Sequence, residues 1–125
     1  MGDFELTQEI DGVCDREASL SEYSLDELSE LVVRWGIERK IIQNGNPQTQ
    51  TLKLMSELGE LADNIAKGRY NRALDDIGDM IVVRIMISAQ INTDIGECLR
   101  VAYNDIKDRK GYLNADGIFV KEGDV

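Results

Sequence analysis

Glu57-Leu58-Gly59-Glu60 and Asp76-Ile77-Gly78-Asp79 repeat one layout: acid, aliphatic, glycine, acid, with the fifteen residues 61–75 between them. Residues three apart share a face of an α-helix, so each tetrad presents a pair of carboxylates on one side. Two such pairs facing each other hold four anionic side chains close together. Hard divalent cations bind oxygen ligands of this kind. The stretch that carries both tetrads therefore sets the expectation for the whole chain: a small helical protein with an acidic, cation-binding seam suited to phosphate chemistry.

Working outward, four helices are expected. The helix carrying the first tetrad runs from about Gln48 to Lys67 on a stripe of Leu54, Leu58, Leu61 and Ile65, with Gly68 as its stop. The next runs from about Arg72 to Ile91, with Asn71 as its N-cap. Its apolar residues (Ile77, Met80, Ile81, Val82, Val83, Ile85, Met86, Ile87, Ala89) cover every side, the pattern of a buried helix. Upstream, Ser24 and Glu27 form a capping box, and a helix follows on Leu25, Leu28, Leu31, Val32, Trp35 and Ile42 to about Gln43. The run Asn44-Gly45-Asn46-Pro47 breaks it. Downstream, Asp94 with Glu97 opens a fourth helix to about Lys110, closed by Gly111. In the tail, Asp116-Gly117 suits a tight hairpin turn. The chain thus reads as an acidic, mobile arm over 1–23, a helical domain over 24–111 and a short tail over 112–125.

The bulk numbers narrow the function. The 125 residues fit one domain, and the formal charge is −10. Seven acids against one base in 1–23 supply −6 of that charge. A net acid this strong argues against nucleic-acid binding through phosphates. There is no histidine, which removes His-based catalysis and most zinc sites. Cys14 and Cys98 form no CxxC pair and read as free thiols of a reducing cytoplasm. No basic-then-apolar leader opens the chain. The apolar run Ile77–Ile91 is too short to span a bilayer and holds Asp79 and Arg84. The expected protein is cytoplasmic and has neither a membrane nor a nucleic acid as partner.

Each motif has a plain and a functional reading. Lys53, Glu57, Glu60 and Asn64 share one side of their helix, as on any solvated amphipathic face, or as ligands and their neighbours. Asp79 shares its face with Val82, Val83 and Met86, so it is expected to be buried, and a buried carboxylate is paired or holds a metal. Asp76, nearer the helix start, also complements the dipole. Gly59 and Gly78 cost roughly 1 kcal/mol each inside helices. They serve either tight helix packing or space for a metal and phosphate. Lys53, Lys67, Arg69, Arg72, Lys107, Arg109 and Lys110 cluster near helix ends and suit phosphate as well as plain surface. Trp35 suits the core or a stacked base.

Taken together, Lys53-Leu54-Met55-Ser56-Glu57-Leu58-Gly59-Glu60-Leu61-Ala62, Asp75-Asp76-Ile77-Gly78-Asp79-Met80-Ile81 and Asn104-Asp105-Ile106-Lys107-Asp108-Arg109-Lys110-Gly111 resemble the three blocks of the MazG-like group of all-α nucleoside triphosphate pyrophosphohydrolases. The resemblance spans about 24–111. It implies an all-α four-helix bundle, acting as a homodimer or homotetramer. It implies Mg²⁺, with Mn²⁺ as a substitute, held by Glu57, Glu60, Asp76 and Asp79. The activity implied is cleavage of the α–β bond of a nucleoside triphosphate to monophosphate and pyrophosphate, with Glu57 or Glu60 acting on the attacking water. Asn104 and Lys107 would face substrate; Lys53, Arg109 and Trp35 join them as candidates. The family's third acid is usually Glu, and Asp76 departs from it by one methylene. The competing class is a non-enzymatic acidic helical adaptor or a nucleotide-sensing binding module.

Overall fold

The computed structural model describes residues 17–123, with side chains from Leu20 onward. Cys14 and most of the acidic arm lie outside the described residues. The chain divides into two compact units, with the break between Ile95 and Gly96.

In the first unit a 3-10 turn, Glu17–Glu22, precedes α1 (Leu25–Glu38), α2 (Ile41–Asn44), α3 (Pro47–Ala66) and α4 (Tyr70–Gln90). The Ser24–Glu27 capping box and the Gly68 stop read from the sequence are present, and Asn46, read only as part of a breaker run, adds a cap. The Ser24 hydroxyl accepts from the Glu27 amide at 3.1 Å, and Glu27 accepts from the Ser24 amide at 3.1 Å. Asn46 caps α3 through the Thr49 amide at 2.7 Å, with Pro47 in the first turn, where its missing N–H costs nothing. Gly68 takes φ +70° after α3, the left-handed geometry of a helix stop.

Three expected helix ends need correction. The helix expected to run to Gln43 stops at Glu38, and Lys40 turns the chain at φ 62° before α2 begins. Neither Gly nor Pro marks that joint. Asn71 is not a cap: α4 starts one residue earlier, and Arg69 at the cap position makes no side-chain cap bond. The last helix ends at Ile106, four residues short of the expected Lys110.

α4 is the centre of the first unit, packing against α3, α2 and α1. Its Ala73, Met80, Val83, Ile85 and Met86 form the buried apolar core. Fully burying a side chain such as Met86 is worth about 1.5–3 kcal/mol. Gly36 of α1 is buried against it: an added Cβ would meet Met86 Sδ, with Cε at 2.7 Å and Ile42 Cδ1 at 3.1 Å. The missing side chain lets α1 approach α4. However, α4 is not buried on all sides. Leu74, Ile77 and Ile81, at i, i+3 and i+7, are exposed.

The second unit holds α5 (Ile95–Ile106, whose first residue precedes the break) and an antiparallel hairpin of β1 (Gly111–Leu113) and β2 (Phe119–Lys121). Tyr112 pairs with Val120. Asn114 Oδ1 accepts from the amides of Asp116 and Ile118 at 2.9 and 3.0 Å, and Gly117 takes φ +78°. The turn thus rests on the Asp-Gly pair read from the sequence. Among the described residues, no helix is long and apolar enough to cross a membrane.

Candidate functional site

Helices α3 and α4 are joined by three residues, Lys67, Gly68 and Arg69, and pack side by side. On α3, helical geometry gathers Lys53, Glu57, Glu60 and Asn64 on one flank. From there Asn64 Nδ2 donates to Asp76 Oδ2 at 2.6 Å, across the seam to α4. Glu57 is the most enclosed acid on α3, its side chain 14% exposed. Its Oε1 lies 3.7 Å from Lys53 Nζ, while its Oε2 is buried and accepts no hydrogen bond. Leaving a buried carboxylate oxygen without a donor is costly. Glu60 is exposed and has no bonding partner among the described residues.

The buried acid of α4 is Asp76, at 6% exposure, and not Asp79. The apolar pattern placed the burial one turn too late, because it assumed a helix covered on every side. Asp79 is half-buried and lines a cleft of about 370 Å³ with Leu28, Leu31, Val32, Trp35 and Val82. Partial desolvation holds the Asp79 carboxyl above the ordinary aspartate value; repulsion from Asp75, Glu57 and Asp76 adds to this, and Lys53 opposes it. Glu57, Asp76 and Asp79 therefore belong to one electrostatic cluster. Among the described residues, no three acidic or thiol groups converge tightly enough to enclose an ion.

Trp35 is 44% exposed, with the Arg39 guanidinium carbon 5.8 Å from its ring centroid. The cleft thus joins an open aromatic face, with a cation over its ring, to a carboxylate of the acidic seam. Both Trp35 and Asp79 were candidates from the sequence. Asn64, Asp75 and Arg39 were not assigned roles. Asn64 was legible in principle, four residues beyond Glu60 and seven beyond Glu57 on the same flank.

Gly59 and Gly78 do not mark tight packing: a Cβ on either would meet nothing within 4 Å. Asn104, Lys107 and Arg109 belong to the second unit. Asn104 and Lys107 are exposed, and Arg109 Nη2 is bonded to Asp105 Oδ2 at 2.7 Å.

Carboxylate oxygen is the donor type that hard divalent cations take. Carboxylate oxygens line α3 and α4, Glu57 Oε2 is buried and accepts no hydrogen bond, and the repulsion that Asp75, Glu57 and Asp76 exert on Asp79 is opposed by Lys53.

Comparison with known proteins adds one relative. The chain is similar to an uncharacterised 18.2 kDa protein from the rep-hol intergenic region of Haemophilus phage HP1 (strain HP1c1), 34% identical over 70 residues. That match covers 56% of this chain and 43% of the relative, so the chain spans less than half of the relative's length. No family model matches the chain, and no solved structure matches it.

Proposed function

We propose that this chain is a Mg²⁺-dependent nucleoside triphosphate pyrophosphohydrolase, a four-helix bundle working as a homo-oligomer. The observation that carries the reading is the position of Asp79: one carboxylate that belongs both to the acidic cluster with Glu57 and Asp76 and to the wall of the Trp35 cleft. A triphosphate needs cations at one end of its site and a flat apolar contact at the other, and the adjacency of the acidic cluster to the Trp35 cleft supports that pairing.

A divalent ion bound to these acids supplies neutralisation of phosphate charge and a more acidic water. The chain's own residues do the rest. Trp35 offers its open face to a base, with Arg39 over the same ring. Glu57, with one oxygen free of hydrogen bonds, is the best-placed general base, and Glu60 is the second candidate. Lys53 stands beside Glu57, its Nζ 3.7 Å from Oε1. The cationic roles implied for Lys107 and Arg109 belong to the same proposal.

The oligomer has its own support. Opposite the acidic flank, α3 exposes Leu52, Met55, Leu58 and Ile65, and α4 exposes Leu74, Ile77 and Ile81, each 44–74% open. Seven such side chains leave on the order of 700 Å² uncovered, near the ~800 Å² that each partner of a stable dimer buries.

The test is direct. The purified chain is incubated with a panel of ribo- and deoxyribonucleoside triphosphates and Mg²⁺, and pyrophosphate is measured. Release from at least one nucleotide, abolished by chelation, is expected. No pyrophosphate from any of them, with the fold intact by circular dichroism, sinks the reading in favour of the adaptor or binding module.

A further inference from the structure

Asp79 is the one charged side chain in the lining of the Trp35 cleft; Leu28, Leu31, Val32 and Val82 complete its walls. No hydrogen bond or ion pair engages the Asp79 carboxylate among the described residues. The acids beside it do not enclose an ion among the described residues, so what the cleft itself offers a ligand decides its chemistry.

Size comes first. A volume of about 370 Å³ lies near the lower end of the ~300–1,000 Å³ typical of small-molecule sites, room for a flat heterocycle rather than a whole nucleoside triphosphate. The aliphatic walls and the 44% exposed indole suit stacking, which any base accepts.

The carboxylate then discriminates between bases. An ionised carboxylate only accepts hydrogen bonds, and its two oxygens are best matched by two parallel N–H donors. Guanine presents two adjacent donors, N1–H and the 2-amino group, on one edge. Adenine and cytosine place a ring acceptor beside their amino group. Uracil and thymine flank a single N–H with two carbonyls. Each of these four would bring an acceptor against Asp79, and a polar site rejects a base that leaves its groups unpaired. Among the lining side chains the only donor is the Trp35 indole N–H, and guanine carries acceptors at O6 and N7.

We propose that the cleft is a guanine-selective base pocket, in which Asp79 accepts from N1–H and the 2-amino group of a base stacked on Trp35. The inference rests on the reading of this cleft as the place of the base, and it names the base.

The experiment uses the full chain and unphosphorylated nucleosides without added metal, so neither phosphate nor cation enters. Binding is followed by quenching of the chain's single tryptophan. Guanosine is expected to bind about 10- to 100-fold more tightly than inosine, which lacks only the 2-amino group, as befits hydrogen bonds to a charged acceptor. Adenosine, cytidine and uridine bind no better than inosine. Asp79→Asn, which puts a donor where an acceptor stood, removes the advantage of guanosine. Asp75→Asn, which removes a neighbouring charge outside the lining, leaves it unchanged. The inosine comparison needs no variant to fold.

Equal binding of guanosine and inosine by the wild-type chain overturns the inference and leaves the hydrolase reading standing. Equal losses from Asp79→Asn and Asp75→Asn also overturn it, since seam charge rather than contact would then be at work. No quenching by any nucleoside up to its solubility overturns it together with the stacking role of Trp35. Guanosine selectivity in a chain that releases no pyrophosphate supports the pocket and sinks only the hydrolase.

Discussion

Asp79 is held in a position that costs stability. The folded chain keeps its proton to higher pH than the unfolded chain, because partial burial and then Asp75, Glu57 and Asp76 disfavour the charged form. The group has no effect on stability below the unfolded value. Stability falls as pH climbs from that value through the folded one, and stays lowered above it. Asp79→Asn is therefore expected to melt higher than wild type at neutral pH, with the gain gone by about pH 3, below the ordinary aspartate range. The same variant should lose turnover by about 100-fold or more if Asp79 holds the ion. Melting curves at the two pH values and a pyrophosphate assay check both halves; a variant that melts lower at neutral pH and turns over normally contradicts both. The sequence located this acidic cluster but misjudged its interior. Counting apolar residues around α4 put Asp79 inside, whereas burial depends on which neighbours exist, and nothing among the described residues covers Leu74, Ile77 and Ile81.

Glycines separate packing from propensity at the scale of the helices. Gly59 and Gly78 stand in open space within α3 and α4, so Gly59→Ala and Gly78→Ala should each stabilise by about 0.5–1 kcal/mol through lower chain entropy. Gly36→Ala should destabilise by about 1–3 kcal/mol, because Met86, which it would strike, is itself fully buried. Urea unfolding of the three variants distinguishes the signs. Removing the α3 cap with Asn46→Ala should cost about 1 kcal/mol in the same measurement. Ser24 and Gly68 were legible because capping chemistry is local and residue-specific, whereas Asn46 was read only as part of a chain break. The break at Lys40 was not: a lysine carries no signal for a left-handed turn, and the apolar period simply continues from Trp35 to Ile42 across it. Gly36 escaped notice for a related reason, since its role is set by Met86, fifty residues away in the chain.

For the whole molecule, the decisive property is that the α3–α4 hairpin has two unlike sides, an acidic seam beside α1 and a bare apolar slab. Charged substitutions on the slab, such as Leu58→Asp combined with Ile77→Asp, are expected to shift the chain to a monomer by light scattering while leaving its helical content unchanged. A wild-type chain that is already monomeric at high concentration removes the oligomer from the proposal. That slab was written in the sequence as hydrophobic residues, but only the placement of the neighbouring helices tells an uncovered apolar residue from a core one.

The hairpin's short closure also gives the candidate site a place in time. Asn64 and Asp76 lie twelve residues apart, with only Lys67–Arg69 to be closed between their helices. Contacts this local form early, whereas Trp35 must be brought to Asp79 from far along the chain. The acids would thus meet before the aromatic wall arrives, and an ion present during refolding would act on the barrier as well as on the final state. Stopped-flow refolding, read by the fluorescence of the single tryptophan and by far-ultraviolet dichroism, should show Mn²⁺ raising the folding rate, with the fluorescence change trailing the helical signal. Mn²⁺ that slows unfolding alone would instead mean that the seam closes last.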